Sequence, residues 1–72
     1  MMQIGNLAVV AANNKECVLT VYDGEVTLFS GIGPERKGYV CSVRDNESID
    51  KLIAFINFKT EICADEKIRR IR

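Results

Sequence analysis

Between Cys17 and Ser30 the chain alternates apolar and polar residues on either side of one Asp-Gly pair, "CVLTVYDGEVTLFS". Alternation with period two predicts strands, and Asp-Gly between two β-branched, aromatic-rich runs predicts a two-residue hairpin turn of type I′. Such a turn sets the register. Tyr22 faces Glu25, Val21 faces Val26, Thr20 faces Thr27, Leu19 faces Leu28 and Val18 faces Phe29. Directly opposed residues share a face of the sheet. One face therefore carries Cys17, Leu19, Val21, Val26, Leu28 and Ser30. The other carries Val18, Thr20, Tyr22, Glu25, Thr27 and Phe29.

Upstream, "NLAVVAANNKE" reads as a strand from about Asn6 to Ala12, closed by a turn at Asn13-Asn14. Either a two- or a four-residue loop puts Val10 on the face of Leu19 and Val9 on the face of Val18. Downstream, "YVCSVRD" alternates Tyr39, Cys41 and Val43 against Val40, Ser42 and Arg44, which is a further strand. The period then changes. Ile49, Leu52, Ile53 and Ile56 fall on one face of an α-helix placed at about 47–59. Asp45, Asn46 or Ser48 caps it, and Glu47 and Asp50 put negative charge at its positive end. In the tail "TEICADEKIRRIR" propensity favours a helix over 64–70, with a fifth strand as the alternative.

These elements predict one α+β domain over residues 1–72. It is a four-stranded antiparallel β-meander followed by a C-terminal α-helix packed on one face, with a second short helix at the end. The helix should cover Val10, Leu19, Val21, Val26, Leu28, Cys41 and Val43. A sheet face that meets water should be polar. Here it would carry Leu7, Val9, Val18, Tyr22, Phe29 and Val40, an apolar set of the kind that marks an interface. Either the C-terminal segment covers it through Ile62, Ile68 and Ile71, or a second copy or another protein does. A chain of 72 residues buries only about 60% of its unfolded surface, so a homodimer is the expected solution.

Composition narrows the chemistry. Ten basic and ten acidic side chains cancel, which removes any broad attraction to nucleic acid or anionic membrane. Histidine is absent, and with it the commonest general base and metal ligand. No catalytic set, metal site or cofactor is expected, and the chain reads as non-enzymatic. Cys17, Cys41 and Cys63 are too widely spaced for a metal knuckle and odd in number for a disulfide framework. They read as small apolar residues of a cytoplasmic protein. "LAVVAA" is too short for a leader and has no basic residue before it, and no run approaches the roughly 18 apolar residues of a membrane span.

Two basic features compete with the apolar face. "SGIGPERKGYV" separates Gly33 and Gly38 as a phosphate loop would, but Tyr39 stands where such a loop needs lysine, and a strand follows where a helix is required. What is left is a connection carrying Arg36 and Lys37, a weak anion or small-ligand contact over Gly31–Gly38. Lys67, Arg69, Arg70 and Arg72 give the last six residues four positive charges, the footprint of a nucleic-acid-associated protein without interleaved aromatics.

Overall fold

The structure, a computed structural model, describes residues 3–62 and 67–71. Its elements run α1 (Ile4–Ala12), β1 (Cys17–Tyr22), β2 (Glu25–Ser30), β3 (Lys37–Ser42), α2 (Asn46–Phe58) and β4 (Arg69–Ile71). The four strands form one antiparallel sheet in the order β1-β2-β3-β4. Both helices lie on one side of it, so the domain has two layers and the class is α+β.

The hairpin forms in the expected register, Tyr22 opposite Glu25 through to Cys17 opposite Ser30. Asp23 and Gly24 both take positive φ, 52° and 76°, as a type I′ turn requires. The strand expected at 39–44 begins two residues earlier, at Lys37. Helix α2 matches the expected span to within a residue. Asp45 caps it by accepting from the backbone N–H of Ser48 at 3.2 Å and from the Ser48 hydroxyl at 2.7 Å. It ends where Lys59 turns left-handed, its N–H donating to the Phe55 carbonyl.

Two expectations are overturned. The segment read as an N-terminal strand is helix α1, and the helix read as C-terminal is α2, mid-chain, with a strand after it. A short apolar run bounded by turn residues has no period that separates strand from helix. Here Leu7 and Ala11, four apart, are both buried, which is helical spacing, while Val9 points away and is 61% exposed. α1 is also tied to the start of α2. The Gln3 backbone N–H donates to Asn46 Oδ1 at 2.9 Å and the Gln3 side-chain amide donates to Asp50. At the other end of the chain, Arg69–Ile71 is extended and pairs with β3, Val40 opposite Arg69 and Gly38 opposite Ile71. The helix expected over 64–70 is therefore not formed at residues 67–70, and its first residues, 64–66, lie outside those described. Gly38 and Val40 turn their backbone groups away from β2, and only a further strand satisfies them inside the protein.

The core lies between the helices and the inner sheet face. Leu7, Val26, Leu28, Ile49, Leu52 and Ile68 are fully buried. Each such side chain contributes about 1.5–3 kcal/mol relative to exposure. Tyr39 meets Phe55 edge-on, with ring centroids 5.4 Å apart. The residues expected beneath a helix are mostly there. Val26, Leu28 and Cys41 are buried, Leu19 and Val43 are half-buried against the core, and Val10 packs from α1 itself. Val21 is the exception, at 52% exposed.

Candidate functional site

The sheet face away from the helices carries Val18, Thr20 and Tyr22 from β1, Glu25, Thr27 and Phe29 from β2, Gly38 and Val40 from β3, and Arg69 and Ile71 from β4. Four of the six residues expected to form an apolar interface, Val18, Tyr22, Phe29 and Val40, thus share this face. The other two do not. Leu7 is buried in α1 against the core, and Val9 sits on the outer side of α1. Both were placed on the sheet only by the strand reading of that segment. Ile71 joins the face instead, through the strand pairing of the tail.

The two halves of this face differ. On the β3–β4 side the apolar groups are covered from within. The Arg36 guanidinium lies 4.8 Å from the centroid of the Phe29 ring, a cation–π contact. Phe29 in turn lies over Gly38 beside Ile71. Arg69 reaches across β3 to an ion pair with Glu25 on β2, and Val40, between them, is 8% exposed. On the β1 side no described residue covers the surface. Val18 is 46% exposed and Tyr22 is 84% exposed.

β1 is also an edge. The hairpin turn makes Tyr22 and Glu25 a hydrogen-bonded pair, so Tyr22, Thr20 and Val18 spend their backbone groups on β2. The Gly31 N–H donating to the Glu16 carbonyl continues that series. Leu19 and Val21 then direct their N–H and C=O groups outward. The Cys17 N–H also points outward but donates to the Asn14 carbonyl. No residue of β1 is charged. Beside this edge, on the helix side, Ala8, Ala11 and Ala12 of α1 and Cys17 and Leu19 of β1 line a groove of about 240 Å³. The outward groups of β1 follow from the Asp-Gly turn type, which fixes Tyr22 and Glu25 as a hydrogen-bonded pair.

The basic residues are not gathered. Arg36 lies on the open face over Phe29. Arg69 is on the same face but paired with Glu25. Lys37 and Arg70 alternate onto the helix side, Lys67 is exposed ahead of β4, and Arg72 lies outside the described residues. Lys37 contributes to a second cleft of about 490 Å³, beyond the C-terminal turn of α2. There Cys17, Ser30 and Lys37 stand in one row across β1, β2 and β3, with Glu16, Glu35 and Lys59 around them. The Cys17 thiol donates weakly to the Ser30 hydroxyl at 3.8 Å. Cys41 lies deeper in the sheet. Burial, then the charges of Asp45 and Glu25, push its thiol up to about 11.

Among the described residues no group of three or more Cys, Asp or Glu is placed to hold a metal ion, and no helix is long and apolar enough to cross a membrane. Of the stretch Gly31–Gly38, residues 31–36 form a loop with a single 3-10 turn at Gly33–Glu35, and Lys37 and Gly38 already belong to β3. No family model matches the chain, and no curated protein or solved structure matches it significantly.

Proposed function

We propose that this chain is a non-enzymatic protein-interaction module that self-associates through the apolar surface on the β1 side of its sheet. One observation carries the reading. The exposed apolar residues Val18 and Tyr22 share one uncharged strand at the rim of a sheet face that no described helix covers, and Val21 between them is exposed on the strand's other face. Scattered exposed apolar residues are ordinary, but a contiguous group on a strand whose edge is unpaired favours association. The chemistry of the remaining groups supports the non-enzymatic part. Asp23 serves a turn, Asp45 serves a helix cap, and the Cys41 thiol is held protonated. Sedimentation equilibrium of the wild type should give twice the single-chain mass of 8.1 kDa. Val18→Asp, which puts a charge on the open face, should return it to one chain with unchanged circular dichroism. A wild-type mass of one chain throughout the micromolar range would refute self-association.

The cleft at the end of α2 favours a second reading, a small-ligand site that includes Gly31, Glu35 and Lys37 of the loop. Its volume is in the range of small-molecule sites. Titration with inorganic phosphate and with free amino acids, followed by amide chemical shifts of Gly31 and Lys37, tests it. No shift at millimolar ligand would remove it.

A further inference from the structure

We propose that the self-association runs edge to edge. β1 pairs antiparallel with β1 of a second copy, Thr20 lies on the two-fold axis, and the two sheets join into one of eight strands. This rests on the self-association reading and specifies its partner surface and register.

The two edges of the sheet are protected unequally. β4 is three residues long and carries Arg69 and Arg70, and short, charged edges discourage pairing. β1 is six residues long and uncharged. Its outward backbone groups belong to Leu19 and Val21, with the Cys17 N–H already given to Asn14. An antiparallel ladder must set outward residues opposite outward residues. Two registers do so while keeping five residues of β1 paired. With Leu19 on the axis, Tyr22 would face Glu16 and Val21 would face Cys17, whose N–H is taken. With Thr20 on the axis, Leu19 faces Val21 of the second copy twice over, giving four backbone hydrogen bonds from the groups that are free.

The side chains favour the same register. On the open face Val18 faces Tyr22 of the second copy, and Thr20 faces Thr20. These are non-hydrogen-bonded pairs, in which side chains approach most closely, and aromatic with β-branched is a favourable cross-strand pair. The two most exposed apolar residues of that face thus cover each other. On the helix side Val21 enters beside Leu19, next to the groove that Ala8, Ala11 and Ala12 leave beside β1. Charge agrees with the antiparallel sense. Lys15, just before β1, and Asp23, just after it, come to the same end of the paired strands, whereas a parallel pairing would bring Lys15 to Lys15.

Val21→Pro is the direct test. It removes an outward N–H and no bond to β2, and proline is tolerated on an edge strand when its nitrogen faces solvent. The mass should fall from two chains to one, with the thermal transition of the monomer retained. Val21→Lys, at an exposed side chain, should do the same without touching the backbone. For the register, Thr20→Cys in a chain carrying Cys17→Ser and Cys63→Ser should oxidise to a linked dimer, and Leu19→Cys in that background should link far more slowly. The non-hydrogen-bonded Thr20 pair brings the two Cα atoms to about 4.5 Å, within disulfide range. A dimer that survives both Val21 variants but dissolves in Val18→Asp overturns edge pairing and leaves self-association standing. Preferential linking through residue 19 overturns the register. A monomeric wild type overturns both readings.

Discussion

Gly38→Ala asks whether the open face is packed or merely uncovered on its β3–β4 side. Gly38 is buried in β3 with no unusual φ, so alanine meets no backbone strain there. The space is the issue. A Cβ at this position would stand 2.7 Å from Ile71 Cγ1 and 2.8 Å from Phe29 Cε1. Carbon atoms rest at about 3.5–4.0 Å, so both side chains must move. Overpacking of this kind costs about 1–3 kcal/mol. Against it stands the gain of replacing glycine in a strand, about 0.5–1 kcal/mol. The balance is a loss of about 1 kcal/mol, a fall in Tm of about 4–8 °C for a domain of this size. Urea and thermal unfolding, run at one protein concentration, measure it. The mechanism has its own check. In a Phe29→Ala background the ring is gone, and the cost of Gly38→Ala should fall by about 0.5 kcal/mol or more. A Gly38→Ala protein as stable as the wild type would refute the packing argument, and so would an equal cost in both backgrounds.

Three further outcomes follow from single contacts. Asp45→Ala should lower the urea midpoint with the loss of the α2 cap, and Asp45→Asn, which still accepts from Ser48, should lower it less. The Ser48 hydroxyl and backbone N–H hold the Asp45 carboxyl below its ordinary 3.8, so its contribution is present above that value and lost as pH falls through the lowered one. Acid unfolding of the wild type should therefore be steeper below about pH 4 than that of Asp45→Asn. For Cys41 the sign is opposite. Its thiol is raised from 9.0 to about 11, so the folded state keeps a proton that the unfolded chain gives up, and stability present below about pH 9 is lost between there and 11. Comparing alkaline unfolding of the wild type with Cys41→Ala measures this, and thiol labelling of Cys41 should wait for unfolding.

The hairpin was legible because turn chemistry, alternation and pairing all specified one register. α2 was legible for a similar reason, since period, cap and charge agreed. α1 was not, because "NLAVVAA" offers apolar residues at both periods, with β-branched Val9 and Val10 arguing for strand and three alanines for helix. What decides it is tertiary. Leu7 and Ala11 find the core only as a helix, and Gln3 is bonded to the first turns of α2. β4 fails for the converse reason. "RRI" reads as helix by propensity, and the unpaired groups of Gly38 and Val40 on a distant strand make it extended. The strand reading of Asn6–Ala12 put Leu7 and Val9 on the face, and the helix takes them off it. The alternation of the true strands kept Val18, Tyr22, Phe29 and Val40 on it.

The same logic explains why the face divides as it does. On the β3–β4 side, Arg36 lays its guanidinium on the Phe29 ring and Arg69 reaches across β3 to pair with Glu25, a cheap way for a small chain to cover a sheet without a third layer. On the β1 side no such residue is within the strand, although a lysine in place of Thr20 or Tyr22 would serve. Covering one half with arginine and leaving the other half both apolar and unpaired is costly for a monomer, since an uncharged edge invites aggregation. It is not costly if a second β1 occupies the edge, because the exposed Val18, Val21 and Tyr22 then become the centre of a continuous sheet.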